Sequence, residues 1–184
     1  MIHNIKNIHF TGDLYFRDKI LAVQRGFENV KDMEIEIIRK WNEKVKPDDT
    51  VYIMGGFCSI IKGATQSYIN LIGELNGKKH FILSSRDAIP TFEKIMENST
   101  LNIKSVSQYK EIMIGKQNFV MMHYPLMDWR GKKTDKTIRG SIHLHVGPID
   151  ENQEEYRFNV SYHKNNKILS AEDIWKKCNN SNQK

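Results

Sequence analysis

The stretch "DTVYIMGGF", residues 49–57, decides the fold of this chain. Residues 51–54 form a short apolar run, and Gly55 and Gly56 interrupt it. A short apolar run that ends in turn residues is typical of a strand buried on both faces of a sheet. Because α/β sheets bind ligands beyond the carboxyl ends of their strands, the two glycines mark a candidate site.

Outward from this strand, apolar runs alternate with segments of helical period, which predicts an α/β domain. The predicted strands cover residues 5–11, 50–54, 80–83, 110–114, 118–122, 141–146 and 156–161. The predicted helices cover residues 32–45, 64–76 and 91–98, and a last helix begins at the capping box of residues 170–173. Gly115-Lys116-Gln117 predicts a hairpin turn.

The helical periods also predict which side chains face the core. In the first long helix these are Met33, Ile37, Trp41 and Val45. In the second they are Ala64, Tyr68, Leu71, Ile72 and Leu75, with Gly77 expected as a left-handed C-terminal cap. In the third they are Phe92, Ile95 and Met96.

Length and composition predict one cytoplasmic domain. The 184 residues suit a single core over residues 1–178, with a frayed polar tail at 179–184. No apolar stretch approaches the roughly 20 residues of a membrane span, so no membrane association is expected. The net charge of +6 permits attraction to phosphates, although a modest lysine excess also serves solubility.

Four further turns follow predicted strands, as Gly55-Gly56 does. They lie in "FTGDLYFRDK" (10–19), "LNGKKHFILSSRD" (75–87), "FVMMHYPLMDW" (119–129) and "GSIHLHVGPI" (140–149). In this order, and with the sequence between them, the five segments resemble the calcineurin-like metallophosphoesterases, in particular their short bacterial and phage-type members. The resemblance implies a two-sheet α/β sandwich whose strand ends hold two metal ions against a phosphate ester.

The chain departs from the family at both metal sites. Asp13 and His123 match family ligands, but Tyr15 stands where a further His ligand is expected. Gly56 stands where the family has the Asp that bridges both metals. Asp13 and His123 are therefore the residual candidates for a metal.

The remaining motif positions are altered in a similar way. Ser85 stands for an amide ligand and Arg86 for the catalytic His, while Asp87 keeps an orienting carboxylate. Gly147 and Ile149 stand for two His ligands. We therefore expect no catalytic residues, no two-metal hydrolysis and no cofactor. The alternative is an enzyme with a rearranged or single-metal site holding Mn or another divalent ion.

His143 and His145 leave one further alternative, because they have a His-x-His spacing and share a strand face. The resemblance favours a framework role for both, since family members carry a similar pair just before their metal-binding histidines. Under that interpretation neither replaces a lost ligand.

Two arginines near the motifs are candidates for binding an anion, namely Arg17 and Arg86. A guanidinium binds phosphate or carboxylate bidentately and stays charged. The favoured alternative is that Arg86 pairs with Asp13 or Asp87, which neutralises a carboxylate left without metal.

The segment 129–140, "WRGKKTDKTIRG", is expected to form a basic loop at the rim of the site. Its candidate partner-binding residues are Arg130, Lys132, Lys133, Lys136 and Arg139. A solvated loop without a partner is the alternative. The absence of interleaved aromatic residues disfavours a platform for single-stranded nucleic acid.

These features together predict a non-catalytic binding or inhibitory protein. The resemblance suggests a phage or prophage origin, in which case a host protein is the expected partner. A nucleic-acid or nucleotide binder is the second alternative, after the rearranged enzyme.

Overall fold

A computed structural model describes residues 5–59, 65–132, 140–147 and 156–181 of the chain. The strands in these ranges are β1 (Ile8–Thr11), β2 (Thr50–Ile53), β3 (Lys78–Ile82), β4 (Ile103–Ser107), β5 (Tyr109–Ile114), β6 (Gln117–Met122), β7 (Ile142–His145), β8 (Arg157–Asn159) and β9 (Leu169–Ser170). The helices are α1 (Lys19–Gln24), α2 (Val30–Lys44), α3 (Thr65–Gly73), α4 (Ile89–Met96), α5 (Tyr162–Asn165) and α6 (Ala171–Ser181).

The strands form two sheets, which confirms the predicted two-sheet α/β sandwich. The first sheet has the order β4-β3-β2-β1-β9, in which β1 to β4 are parallel and β9 is antiparallel to β1. The second has the order β5-β6-β7-β8, with one antiparallel pair, β5 and β6. The parallel strands bring the turns after β1, β2 and β3 to one edge of the first sheet.

Alternation along β2 explains how both faces of the first sheet are buried. Val51 and Ile53 pack against the core formed with α2, α3 and α4. Tyr52 packs into the core between the sheets, where the Phe10 ring stacks between Tyr52 and Phe119 at centroid distances of 5.7 and 5.6 Å. Successive side chains of a strand point to opposite faces, so one apolar run supplies both cores.

The predicted elements are found, with several corrections. Residues Ile5–Asn7 form a 3-10 turn instead of the start of β1. Met96 is 40% exposed, so its predicted inward position is wrong. Gly77 has a positive φ of 93°, but α3 ends four residues earlier, and a Cβ at Gly77 would lie 2.9 Å from Val45 Cγ1. Close packing at the entrance to β3, and not a helix cap, therefore requires this glycine.

The chain ends also differ from the prediction. The capping box is confirmed, because the Ser170 backbone N–H donates to Asp173 Oδ2 at 2.8 Å and the Asp173 N–H donates to Ser170 Oγ at 3.1 Å. From there α6 runs to Ser181, so the helix extends three residues into the segment 179–184 that was expected to be a polar tail. Residues 182–184 and Ala64 lie outside the described residues.

Candidate functional site at the strand ends

The turns singled out in the sequence meet at the carboxyl ends of β1, β2, β3 and β6. His123, after β6, lies with its Nδ1 3.0 Å from the Met54 carbonyl oxygen, after β2. Asp87, after β3, accepts the Gly56 backbone N–H at 3.3 Å. The Asp13 backbone N–H, after β1, donates to the carbonyl of Gly55 at 3.0 Å. The structure therefore brings Asp13, Gly56, Asp87 and His123 together, as the motif order predicts.

The turn after β1 continues the pairing of β1 with β2 beyond the sheet. The Tyr15 N–H donates to the Gly56 carbonyl at 2.8 Å, and the Phe16 N–H donates to the Phe57 carbonyl at 3.0 Å. This pairing fixes Tyr15 directly beside Gly56, because backbone hydrogen bonds set the register of the two turns.

The same turn holds an unusual backbone. Asp13, Tyr15 and Arg17 have positive φ values of 52°, 53° and 65°, a region that residues with a side chain rarely adopt. The Arg25 guanidinium stabilises it by donating to the carbonyls of Asp13 and Leu14, both at 2.8 Å. Strained backbone of this kind concentrates at functional sites. No sequence signal pointed to Arg25.

Neighbouring side chains fill the space around Gly56. A Cβ built on Gly56 would lie 2.5 Å from Asp13 Oδ1 and 3.1 Å from Tyr15 Cζ, and Gly56 has φ +59°. Those two side chains fill the place that a side chain at position 56 needs. The position expected for the bridging carboxylate is therefore closed, in addition to lacking a charge.

Both carboxylate oxygens of Asp87 accept hydrogen bonds from the protein. Its Oδ2 accepts hydrogen bonds from the Ser84 N–H and Oγ–H, both at 2.7 Å, and from the Gly56 N–H at 3.3 Å. Its Oδ1 accepts from the Phe57 N–H at 3.4 Å. Asp87 thus ties the turn after β2 to the turn after β3.

Asp13 is as buried as Asp87, but one of its carboxylate oxygens, Oδ1, lacks a hydrogen-bond partner among the described residues. Burial raises the pKa of Asp13, while the charge of His123 and the nearby hydroxyls of Tyr15 and Ser161 oppose that shift. Burial and the adjacent Asp13 charge raise the pKa of Tyr15 to about 12, so Tyr15 keeps its proton at neutral pH.

His123 has one ring nitrogen available. Its Nδ1 donates to the Met54 carbonyl, which can only accept a hydrogen bond, so Nε2 is the ring nitrogen that remains for a ligand. The ring packs edge to face with Tyr124 at a centroid distance of 4.7 Å. Ser85, which stands for an amide ligand in the resemblance, hydrogen-bonds the Tyr124 hydroxyl at 2.7 Å.

The two candidate anion-binding arginines lie apart. Arg86 is exposed and lines a pocket of about 260 Å³ together with Tyr15, Asp87 and His123. Within the described residues it forms no ion pair shorter than 4 Å, so the favoured pairing with Asp13 or Asp87 is not made. The Arg17 backbone N–H donates to Glu34 at 2.8 Å, and the Arg17 Nε lies 4.0 Å from the same carboxylate, so Arg17 pairs with Glu34 and does not line this pocket.

In the last motif, Gly147 also has no room for a side chain, as at Gly56. The Gly147 N–H donates to the His123 carbonyl at 3.1 Å, and a Cβ at Gly147 would lie 2.9 Å from Pro125 Cδ. A His side chain at this position would require Pro125 to move. Ile149 lies outside the described residues.

His143 and His145 have the contacts expected of framework residues. His143 uses both ring nitrogens, with Nδ1 3.0 Å from the Val120 carbonyl and Nε2 accepting the Leu126 N–H at 2.9 Å. His145 Nδ1 lies 3.1 Å from the Gly147 carbonyl, and burial lowers the pKa of His145 to about 4. Both rings are held as neutral groups inside the core.

The described part of the basic loop is engaged within the chain. Arg130 lies 3.6 Å from Glu111, and Lys132 donates to the Met127 carbonyl while lying 5.1 Å from the Trp129 ring centroid. The loop residues outside the described ranges are Lys133, Lys136 and Arg139. The two described cations therefore already have protein partners.

Two findings bear on the class of site within the described ranges. No group of three or more His, Cys, Asp or Glu side chains there is placed to hold a metal ion. No helix there is long and apolar enough to span a bilayer.

Comparison with known sequences gives distant relatives, and no family model matches the chain. It is 29% identical over 87 residues to the gene 66 protein of Mycobacterium phage L5, a match that covers 45% of this chain and 41% of the phage protein. The chain therefore spans less than half of that relative. An uncharacterised protein of Methanocaldococcus jannaschii is 24% identical over 164 residues, covering 86% of this chain and 82% of that protein.

Among solved structures, a protein of unknown function from Aquifex aeolicus superposes with a TM-score of 0.65 at 18% identity, covering 92% of this chain and 97% of that one. The two share a fold. An archaeal phosphodiesterase superposes with a TM-score of 0.45 at 12% identity, covering 84% of this chain and 81% of that one. Similarity at that level does not indicate an activity.

Proposed function

We propose that this chain is a non-catalytic protein of the calcineurin-like metallophosphoesterase type, which binds a protein partner with the face at its strand ends. The closure of the turn at Gly56 by Asp13 and Tyr15 carries this proposal. Two dications about 4 Å apart repel by roughly 17 kcal/mol at an effective dielectric near 20, and a bridging carboxylate offsets that repulsion. Here the turn has neither the carboxylate nor the room for one.

The remaining donors do not fit a two-metal centre. His123 Nε2 and the Asp13 carboxylate are two ligands, whereas catalytic metal sites usually have about three from the protein. Tyr15 stays protonated, with a pKa of about 12, and a neutral phenol is a weak replacement for the expected imidazole. We therefore derive no hydrolytic step at this site.

Exposed apolar side chains favour a protein as the partner. In the loop after β6, Tyr124 is 40% exposed and Met127 is 78% exposed. On α1, after β1, Ile20 and Val23 are 74% and 67% exposed. Apolar groups exposed beside a cleft mark interaction sites on soluble proteins. The partial match to a phage protein supports a phage or prophage origin. With that origin, a host protein is the proposed target.

Hydrolysis of an aryl phosphodiester in the presence of Mn²⁺ tests the loss of catalysis. We expect no turnover above the rate without protein, and the same result for His123→Ala and for the exposed His163→Ala control. Turnover that His123→Ala abolishes and His163→Ala preserves would establish the rearranged enzyme instead.

Substitution of two exposed methionines, Met127 and Met113, tests whether the face at the strand ends binds the partner. Met127→Asp is expected to weaken capture of the partner from host lysate at least about tenfold, since a buried charge at an interface without a counterion is costly. Met113 is the matched control, because it is 69% exposed on β5 and pairs with Asn118 at the opposite end of β6 from His123. Equal loss of capture in Met113→Asp would contradict the assignment of this face.

Binding of nucleic acid would give a different result. Affinity would fall steeply with salt and would drop in a Lys132→Ala variant, because released counterions drive such binding. We expect neither effect, since Lys132 is engaged by Met127 and Trp129.

A further inference from the structure

The segment 123–129 follows β6 and belongs to the face at the strand ends. Both of its ends are bound to residues that flank β7. The His123 carbonyl accepts the backbone N–H of Val146 at 3.1 Å. At the other end, the buried Trp129 donates its indole N–H to the Ser141 carbonyl at 2.9 Å. The segment is therefore fixed to the second sheet at its first and last residues.

Three side chains also hold the peptide groups in the middle of this segment. The Leu126 N–H donates to His143 Nε2 at 2.9 Å, and the Arg157 guanidinium donates to the Leu126 carbonyl. The Lys132 ammonium donates to the next carbonyl, that of Met127. Consecutive peptide groups are thus bound by side chains from β7, from β8 and from the turn that follows the segment. These bonds remove backbone freedom that loops normally keep.

His143 is suited to hold the segment because its own ring is fixed. The ring is completely buried, and Nδ1 donates to the Val120 carbonyl at 3.0 Å, which leaves Nε2 as the acceptor for Leu126. The ring centroid lies 5.2 Å from that of Trp129, and the Arg157 guanidinium lies 5.4 Å from the centroid of the same indole. An imidazole bonded at both nitrogens has a single orientation, so it sets the position of the Leu126 N–H.

The side chain that this arrangement displays is that of Met127. It is 78% exposed, although the backbone around it is bound to the protein. Methionine adapts to varied apolar surfaces and is enriched at protein interfaces. A backbone that is already ordered lowers the cost of binding. Met127 therefore combines an adaptable apolar side chain with a fixed position, which is the combination expected of an interface anchor.

We propose that His143 and Arg157 are positioning residues for partner binding. They hold the peptide groups of Leu126, so that Met127 projects from a fixed backbone into an apolar site of the partner protein. A buried imidazole costs more to desolvate than an apolar side chain, and the bond to Leu126 is a contact that an apolar side chain could not make. The inference rests on the proposed function, because it assigns the support of the face at the strand ends.

Amide hydrogen exchange of the full chain, followed by ¹⁵N–¹H NMR, tests this support without any partner. His143→Phe keeps a planar ring but removes the acceptor, so the Leu126 amide should exchange at least about tenfold faster. His143→Gln places an oxygen close to the former position of Nε2 and should keep exchange within about threefold of the wild type. Unchanged exchange in His143→Phe, or an equal increase in both variants, would overturn the proposal.

Arg157→Met is a second variant, on a half-buried residue, which keeps the test valid if His143→Phe does not fold. Capture is measured with the immobilised full chain and host lysate, by quantifying the protein that the wild type retains. Arg157→Met should weaken this capture at least about fivefold, because the backbone of Met127 loses its order. Arg39→Met is the control on the surface of α2, where the Arg39 side chain is 51% exposed, and it should change nothing.

A Met127→Ala background shows whether Arg157 acts through Met127. There, Arg157→Met should weaken capture by less than about twofold, because residues that act through one contact are not additive. Equal losses in the two backgrounds would contradict the positioning role.

The exchange and capture measurements separate this inference from the proposed function. Absence of any protein retained by the wild-type chain would contradict the proposed function, and the exchange of Leu126 would then decide the support alone. Undiminished capture by His143→Phe and Arg157→Met, with accelerated exchange of Leu126, would overturn the positioning role while leaving the proposed function in place.

Discussion

Asp13 and Asp87 both lie against the Gly55-Gly56 turn and are equally buried, each with 8% exposed, yet their surroundings differ. Asp87 accepts hydrogen bonds from three backbone N–H groups and one hydroxyl. Asp13 has an oxygen with no partner among the described residues, in a turn with strained φ values. The Asp87 carboxylate therefore holds the turns together, whereas the Asp13 carboxylate is buried at a cost that its hydrogen bonds do not fully offset.

Removal of Asp87 should have the largest effect. Asp87→Ala leaves several buried donors without an acceptor, at roughly 1–3 kcal/mol for each donor that water does not reach, so we expect a loss of about 4 kcal/mol. Urea unfolding of Asp87→Ala measures the loss. The exposed Asp48→Ala provides the control and should change stability little. A loss below about 1 kcal/mol would break the contrast between the two carboxylates.

A carboxylate at position 56 should be the next most disruptive change. Gly56→Asp adds a Cβ 2.5 Å from Asp13 Oδ1 at positive φ, so we expect a loss of about 3 kcal/mol. Gly115→Asp is a matched control, because Gly115 has φ +61° and nothing lies within 4 Å of its Cβ. Thermal melting of both variants separates the steric cost from the backbone cost. Similar melting temperatures would show that the turn is not closed.

Arg25 tests how the strained turn around Asp13 is supported. Arg25→Met keeps an aliphatic stem but removes the hydrogen bonds to the carbonyls of Asp13 and Leu14, and we expect a loss of about 2 kcal/mol. Arg39→Met removes surface ion pairs to Glu36 and Glu43 and should cost much less. Urea midpoints of the two variants check this order, and the reverse order would contradict it.

Asp13→Asn should change stability least, and it should increase stability where the preceding variants decrease it. The raised pKa of Asp13 means that the folded chain holds a proton which the unfolded chain releases near pH 4. The free energy of unfolding therefore falls as pH rises from about 4 towards the raised pKa of folded Asp13. The Asp13→Asn variant has no carboxyl group to titrate and does not show this fall. We expect Asp13→Asn to gain about 1 kcal/mol over the wild type at pH 7 and less at pH 4. Urea unfolding at both pH values checks the trend, and a loss at pH 7 would show that Asp13 is stabilised by its surroundings.

The sequence predicted the scaffold well because alternation and helical period report burial directly. The run 51–54 feeds two cores, and the face of Met33, Ile37 and Trp41 matches the buried face of α2. It did not predict α1, because that helix has six residues and exposes Ile20 and Val23, so it shows no apolar stripe. Strand β4 was missed for a related reason, since as a half-buried edge strand it has no continuous apolar run.

The motif order predicted which site residues meet, but not how they contact one another. Nothing in the sequence indicated that Asp87 would accept the N–H groups of Gly56 and Phe57 while Arg86 pairs with neither carboxylate. The Asp87 contacts are made to the Gly55-Gly56 turn, where both glycines have positive φ values of 64° and 59°. A cavity beside Asp13 is lined by α1, which the sequence did not reveal.

Calorimetric titration of the full chain with Mn²⁺ at neutral pH tests the central claim most directly, namely that the turn at Gly56 is closed to a pair of metal ions. The account predicts no stoichiometric heat of binding, and the same flat titration for a His123→Ala variant. Binding of two ions per chain, lost in His123→Ala, would contradict it.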